Sequence, residues 1–361
     1  MRVLIAAGGT GGHIYPGIAV AQEIMRRDSQ AKVRFVGTAR GLESRLVPQA
    51  GFELSLIDSS GLKNVSLAAR LKGVAMLPQS FMAASALIRT FKPDVVVGAG
   101  GYVSGPVVLT AALMRRPTLV MESNALPGWT NRMLARFVDK AAVSFEQALP
   151  FFHGKAVVTG NPVRREFFEI PAKQRDAAKF SVLVFGGSQG ARAINEAMMA
   201  ALSQLKASPV ALQIKHQTGP SDFERVQKAY KDAGWDGRAE VRSYIDNMVE
   251  DFAQADLVVC RAGATTTAEL IAAGKAAVMI PFPLAADDHQ RKNAEALESS
   301  GAARMILQKD LSGERLAKEI LELAASPQVV DQMEQAIRKL ARGDAAASAV
   351  DLIAELAKKR K

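Results

Sequence analysis

The chain has 361 residues, 48% of them apolar, which is too many for one ordinary hydrophobic core and enough for two. Its single cysteine, Cys260, rules out an internal disulfide and suits a reducing compartment, and with only four scattered histidines (His13, His153, His216, His289) the composition argues against a structural zinc site. The formal net charge of +10 is unevenly spread: residues 1–160 hold 18 Lys+Arg against 9 Asp+Glu, a net of +9, and residues 161–361 hold 28 against 27, a net of +1.

In chain order, the opening Arg2–Ala7 reads as a strand, because its apolar run is too short for the core of a signal peptide. Further strands are predicted at Val33–Gly37, Leu54–Ile57, Val95–Val97, Thr118–Met121, Lys140–Val143 and Ala156–Val158. Several are apolar on both faces, as strands of a helix-covered parallel sheet must be. Between them, residues 62–89 carry Leu67, Leu71, Val74, Leu77, Phe81, Met82, Leu87 and Ile88 beside Lys63, Arg70 and Lys72. Pro78 interrupts the stretch, which predicts two helices or a kinked one. Its mixture suits a helix lying on an anionic membrane, or equally a helix packed on its own sheet with the basic groups in water. Thr159-Gly160-Asn161-Pro162-Val163 breaks the pattern and marks a domain boundary.

After it the rhythm restarts, with strands predicted at Ser181–Phe185, Leu212–Gln217, Glu240–Val241, Leu257–Cys260 and Ala277–Ile280. Alternating strands and helices predict an α/β protein of two Rossmann-like, doubly wound domains facing a cleft, at 1–160 and 161–343. Residues 344–361 form an amphipathic helix ending in Lys358-Lys359-Arg360-Lys361, whose packing partner is open at this level. No apolar run reaches the roughly 18–20 residues of a membrane-spanning helix, so a soluble or peripheral cytoplasmic protein is expected. The basic first domain calls for an anionic partner: phospholipid headgroups, a pyrophosphate or nucleic acid, with a plain contribution to solubility as the alternative.

Three strands run into glycine-rich turns: Gly8–Gly12, Gly98-Ala99-Gly100-Gly101 and Gly186–Gly190. Such turns let backbone N–H groups approach a phosphate at the next helix start. They are not dinucleotide fingerprints. The sixth position of G-x-G-x-x-G is Ile14 counted from Gly9 and Val103 counted from Gly98, and Val36-Gly37-Thr38 stands where a ribose-binding acid belongs. No Gly-Lys-Ser/Thr occurs, so the P-loop is excluded as well. The first turn ends in His13, whose imidazole titrates near neutrality and suits removal of a proton from a sugar hydroxyl; a capping or structural role is the plainer alternative.

Taken together, Gly8-Gly9-Thr10-Gly11-Gly12-His13, Gly100-Gly101-Tyr102-Val103-Ser104-Gly105-Pro106, Gly160-Asn161-Pro162-Val163-Arg164, Gly186-Gly187-Ser188-Gln189-Gly190-Ala191-Arg192 and Cys260-Arg261-Ala262-Gly263-Ala264-Thr265-Thr266-Thr267-Ala268-Glu269 follow the order of one family. The chain resembles the MurG family, the peptidoglycan GlcNAc transferases of the GT-B fold, from Arg2 to the C-terminal helix. The resemblance implies inverting transfer of GlcNAc from UDP-GlcNAc to the C4 hydroxyl of MurNAc in undecaprenyl-pyrophosphoryl-MurNAc-pentapeptide (lipid I), giving lipid II. It implies no metal and no cofactor, no nucleic-acid partner, and a peripheral position on the cytoplasmic face of the membrane.

By the same resemblance His13 is the general base, and Thr10, Gly11 and Gly12 approach the donor sugar or the acceptor pyrophosphate. Ser188 and Arg164 hold the UDP phosphates, the fixed guanidinium charge helping UDP leave. The helix opened by Gly263, Ala264, Thr265, Thr266, Thr267 and Ala268 offers N–H groups to a phosphate, and Glu269 takes the ribose hydroxyls. The backbone at Tyr244-Ile245 reads uracil, and Gln290 and Asn124 contact sugar. Met121-Glu122-Ser123-Asn124 departs from the family's His-Glu-Gln-Asn, and His289-Gln290 from its paired glutamines; Glu122 is an alternative base. Other readings are a GT-B transferase with a different lipid or natural-product acceptor, and a nonenzymatic nucleotide-sugar or membrane-binding protein. A nicotinamide oxidoreductase is disfavoured by the missing ribose acid.

Overall fold

The computed structural model of the protein describes residues 1–9, 11–39, 41–58, 67–176 and 178–358, with the backbone alone at 67–75 and 286. Thr10, Lys63 and the terminal Lys359, Arg360 and Lys361 therefore lie outside the described residues, as do the side chains of Arg70 and Lys72. The chain divides into two compact units, Met1–Val163 with Arg342–Lys361, and Arg164–Ala341.

The first unit alternates β1 (Arg2–Ala7), α1 (Gly11–Arg27), β2 (Lys32–Gly37), α2 (Glu43–Gln49), β3 (Glu53–Leu56), α3 (Leu67–Phe91), β4 (Val95–Gly100), α4 (Ser104–Leu113), β5 (Thr118–Glu122), α5 (Trp129–Leu134), β6 (Lys140–Val143) and β7 (Ala156–Val158). Its seven strands are all parallel, in the order β3-β2-β1-β4-β5-β6-β7. Val3 to Ala7 are fully buried, since β1 is covered on both faces and flanked by β2 and β4, with Ile5 in register with Phe35 and Val97. Strand order reverses between β1 and β4, which opens a crevice at their carboxyl ends.

The second unit alternates β8 (Lys179–Phe185), α6 (Arg192–Lys206), β9 (Ala211–Gln217), α7 (Phe223–Asp232), β10 (Ala239–Arg242), α8 (Met248–Gln254), β11 (Leu257–Cys260), α9 (Ala264–Ala273), β12 (Ala277–Met279), α10 (His289–Ser299), β13 (Ala303–Met305), α11 (Gly313–Ala324) and α12 (Pro327–Leu340). Its six parallel strands run β10-β9-β8-β11-β12-β13, so the reversal falls between β8 and β11. A short 3-10 turn at Arg165–Phe167 ties the start of this unit down: Phe167 is fully buried, edge-on to Phe252 at 5.2 Å between centroids.

The closing helix α13 (Ala345–Lys358) packs on the first unit. Ala349, Val350, Ile353 and Leu356 join the core built by Val3, Ile5, Ile18 and Ile24. Arg27 latches the two helices, reaching Asp351 at 2.5 Å and the Ala347 carbonyl at 3.1 Å. On its own helix it also meets Glu23, whose carboxyl Arg26 and Arg27 hold down at a pKa of about 2.

Of the two alternatives for the stretch around Pro78, the single helix holds: Pro78 sits inside α3. The edge strand β13 is not apparent in the sequence, because Ala303-Arg304-Met305 is three residues long with a charge at its centre. Among the described residues no helix is long and apolar enough to cross a membrane.

Candidate active site

In the first unit two glycine turns meet at the β1/β4 crevice. Gly9, Gly100 and Gly101 have φ of +91°, +115° and +79°, a region that costs glycine nothing and other residues dearly. The fit is close as well as left-handed: a Cβ on Gly101 would overlap the Gly8 carbonyl, and one on Gly100 would overlap the His13 ring. His13, the third residue of α1, thus lies against the backbone of the second turn, half-buried at the carboxyl end of the sheet.

Two buried side chains hold these turns, and neither was legible in the sequence. The Glu43 carboxylate accepts the Gly9 N–H at 3.0 Å and both the N–H and the hydroxyl of Thr38 at 2.8 Å. The Ser104 hydroxyl accepts the Gly100 N–H at 3.1 Å and lies 2.8 Å from the Ala6 and Gly100 carbonyls. Glu122 ends β5 and is buried, which pushes its carboxyl above the usual range. All its acceptor capacity is used: Oε1 takes the backbone and side-chain N–H of Asn124, and Oε2 takes the N–H of Gly128 and the side-chain amide of Asn131, at 2.9–3.0 Å. It organises the Asn124–Gly128 loop and is poorly placed to accept a substrate proton.

In the second unit the β8/β11 crevice is flanked by Gly186–Gly190 and by the start of α9. Gly187 and Gly190 have φ of +96° and +75°, and a Cβ on Gly190 would overlap the Thr218 carbonyl. Ser188 belongs to this turn and is exposed. Across the reversal, Gly263 is the extended residue that starts α9, with Ala264, Thr265 and Thr266 half-buried in its first turn. Thr267 and Ala268 turn inward instead. Thr267 is fully buried with its hydroxyl donating to the Gly263 carbonyl at 2.9 Å, and Ala268 is buried as well. The N-terminal end of α9, with its positive dipole, points to the crevice as an anion site does.

Glu269 follows on α9 with its carboxyl raised to a pKa of about 7 by burial, against the opposing charge of Arg164. The Arg164 guanidinium lies over the Phe167 ring, 5.0 Å from its centroid. Gln290, second residue of α10, accepts the Phe282 N–H at 3.0 Å, and buried Asn293 on the same helix donates to the Ala262 carbonyl at 3.1 Å. Asp287 and Asp288 just before α10 both adopt left-handed φ of +55°, unusual for two consecutive residues with side chains and typical of loops under functional constraint.

Ile245 departs from expectation. Its N–H donates to the buried Gln217 side chain at 2.8 Å and is engaged within the protein. Arg261, beside Gly263, is likewise structural: it donates to the Ile280 and Pro281 carbonyls and to Gln308. Cys260 is buried in β11, which pushes its thiol up and leaves it inert. Among the described residues no group of three His, Cys, Asp or Glu side chains converges as a metal site would require.

Two doubly wound units, each with a phosphate-type turn where its strand order reverses, define a protein of the GT-B architecture. The N-terminal domain of glycosyltransferase family 28 matches residues 3–143 and the family's C-terminal domain matches residues 181–353. The UDP-N-acetylglucosamine–N-acetylmuramyl-(pentapeptide) pyrophosphoryl-undecaprenol N-acetylglucosamine transferase of Myxococcus xanthus is 48% identical, over 99% of this chain and 93% of that protein. The Pelobacter propionicus enzyme of the same name is 46% identical, over 98% and 99%. The crystal structure of Acinetobacter baumannii MurG superposes with a TM-score of 0.83 at 33% identity, covering 98% of this chain and 99% of that one. The UDP-GlcNAc 2-epimerase of Neisseria meningitidis, 14% identical with a TM-score of 0.70, shares the fold alone. The chain belongs to glycosyltransferase family 28.

Proposed function

We propose that this protein transfers GlcNAc from UDP-GlcNAc to the C4 hydroxyl of MurNAc in lipid I, with inversion at the anomeric carbon, to give lipid II for peptidoglycan synthesis. The observation that carries the reading is identity of 46–48% along nearly the whole chain to enzymes that bear the name of this transfer.

Inverting transfer needs a base for the acceptor hydroxyl and stabilisation of the departing diphosphate as the oxocarbenium-like transition state forms. His13 is the base: its ring is fixed against Gly100 at the mouth of the β1/β4 crevice, and Glu122 is already saturated with hydrogen bonds. Gly11 and Gly12 at the start of α1 serve the sugar or pyrophosphate, with Asn124 on the neighbouring β5 loop, and the family resemblance gives Thr10 the same role. UDP-GlcNAc occupies the β8/β11 crevice. Ser188, Arg164 and the first turn of α9 at Gly263, Ala264, Thr265 and Thr266 meet the diphosphate, so leaving-group charge falls on a guanidinium and a helix N-terminus. Glu269 receives the ribose hydroxyls, the Tyr244 carbonyl the uracil, the Ile245 N–H being held by Gln217, and Gln290 the GlcNAc. Thr267 and Ala268 serve by packing α9 rather than by touching ligand.

The enzyme works as a peripheral protein on the anionic cytoplasmic membrane surface, where its lipid substrate lies. Support comes from exposed apolar side chains of the basic first unit: Trp129, Met133 and Phe137 recur at the i, i+4, i+8 spacing along α5 and just beyond it, with Leu113 at the end of α4 and Met82 on α3. Arg115 and Arg136 are exposed among them. α4 packs against both α3 and α5, which brings these side chains to one side of the unit. Apolar groups rimmed by guanidinium groups are what an anionic bilayer surface binds.

The test is transfer from radiolabelled UDP-GlcNAc to a lipid I analogue, with UDP-GalNAc run in parallel. Product from UDP-GlcNAc alone is expected. No product from either donor refutes the transfer, and equal use of both refutes the donor assignment.

A further inference from the structure

Gln217 is the last residue of β9, 1% exposed, and both ends of its side-chain amide are engaged. Nε2 donates to the Gly187 carbonyl at 2.9 Å, and Oε1 accepts the Ile245 N–H at 2.8 Å. β9 lies between β8 and β10 in the sheet, so its end stands between the glycine turn that follows β8 and the Tyr244-Ile245 segment that follows β10. One side chain bridges two loops that come from non-adjacent strands.

A trans peptide holds its C=O and N–H in opposite directions. By fixing the Gly187 carbonyl toward itself, Gln217 aims the Ser188 N–H the other way. By fixing the Ile245 N–H, it aims the Tyr244 carbonyl the other way. A carbonyl so presented is an acceptor: it pairs with the N3–H of uracil and has no donor to meet at N3 of cytosine. Few side chains replace this one, since Leu offers neither hydrogen bond and an ionised Glu offers only the acceptor. The strand end is itself held still. His216, kept neutral by burial with a pKa of about 3, lies between Asn195 at 3.0 Å and Tyr230 at 3.2 Å, and Asn195 donates to the Thr218 carbonyl at 3.0 Å.

We infer that Gln217 is a positioning residue that couples the diphosphate turn to the base-reading backbone and so sets the preference of the donor site for uracil over cytosine. The inference rests on the assignment of UDP-GlcNAc to the second unit. The test measures UDP and CDP binding to the full-length protein by calorimetry, together with KM for both substrates, for wild type, Gln217→Leu and Gln217→Glu. For Gln217→Leu we expect the KM for UDP-GlcNAc to rise about tenfold, as for loss of a buried hydrogen-bonding group, with the UDP:CDP affinity ratio falling by a similar factor of about ten. The KM for the lipid I analogue stays near wild type, and the thermal midpoint falls modestly because the Gly187 carbonyl and the Ile245 N–H lose their buried partner. Gln217→Glu keeps the acceptor for Ile245, so it retains the UDP:CDP ratio while UDP itself binds more weakly; this variant carries the test if Gln217→Leu fails to fold. An unchanged ratio in folded Gln217→Leu, a loss of kcat/KM of equal size for both substrates, or a collapsed UDP:CDP ratio in Gln217→Glu overturns the inference. A wild-type protein that binds neither UDP nor CDP refutes instead the donor assignment beneath it.

Discussion

The two crevices share one scaffold and differ in what holds their turns. Gly8-Gly9-Thr10-Gly11-Gly12-His13 and Gly186-Gly187-Ser188-Gln189-Gly190-Ala191 follow strands that both stand at a reversal of strand order. In the first unit a buried carboxylate, Glu43, and a hydroxyl, Ser104, grip the turns, and an imidazole lies against them. In the second the supports are neutral amides, Gln217, Asn195 and Asn293, and Ala191 stands where His13 would be. With an imidazole held against it, the first turn suits proton transfer. Neutral supports with a helix N-terminus and Arg164 suit a diphosphate. A repeated fold thus carries two chemistries because its supporting side chains differ.

Gly100 is where the first crevice is most sensitive to substitution. Gly100→Ala places a Cβ into the His13 ring at a φ of +115°, and the strain and overlap are expected to cost about 3 kcal/mol and lower kcat by roughly a hundredfold. The corresponding kinetic measurement should leave the KM for UDP-GlcNAc within about twofold of wild type if the second unit binds the donor independently. A rise in that KM with kcat preserved would put donor recognition in the first unit.

Glu43→Ala strips the Gly9 and Thr38 N–H groups of their buried acceptor. Unfolding in urea should show a loss of about 2–3 kcal/mol, since unsatisfied buried donors cost on that order. No loss would mean that water replaces the carboxylate and that the support is not structural.

Glu269 gives the second unit a pH signature. Its folded pKa of about 7 lies above the ordinary carboxylate value of 4.5, so ionising it opposes folding. The penalty is absent below about pH 4.5, builds as the pH rises to about 7 and is constant above that, with a size on the order of 2 kcal/mol. Glu269→Gln should be more stable than wild type at pH 8 and nearly equal to it at pH 4.5, read as the difference in unfolding midpoint. A difference that does not depend on pH would remove the buried-carboxyl account.

The smallest effect is expected at the surface of the first unit. Trp129→Ala with Phe137→Ala should weaken binding to anionic vesicles by about 1–3 kcal/mol while solution transfer to a short-chain acceptor is unaffected. Equal binding of the variant to neutral and anionic vesicles, unchanged from wild type, would move the membrane contact elsewhere.

Much of the scaffold was legible because central parallel strands such as β1, β4 and β11 are buried on both faces and read as short apolar runs, whereas the short edge strand β13 carries a charge at its centre. The glycine turns were legible because only glycine tolerates the φ they need. The supports were not. Glu43 is 34 residues from Gly9, and Gln217 lies 30 residues from Gly187 and 28 from Ile245, so each joins its partner only once the sheet has formed. A polar residue at a strand end or helix start carries no periodic signal of such a role. The same holds for Ile245, whose N–H is spoken for by a side chain that local pattern does not connect to it, and for α13, whose place on the first unit depends on Arg27 and Asp351, 324 residues apart.

The two units divide the labour, with the base in the first and the donor nucleotide in the second. The most direct test of this division is His13→Ala assayed twice, by GlcNAc transfer at saturating substrates and by equilibrium binding of UDP. The account predicts kcat lowered by about 10²–10⁴, the range of a lost general base, with UDP affinity within about twofold of wild type. Transfer at the wild-type rate, or loss of UDP binding in step with activity, would contradict it.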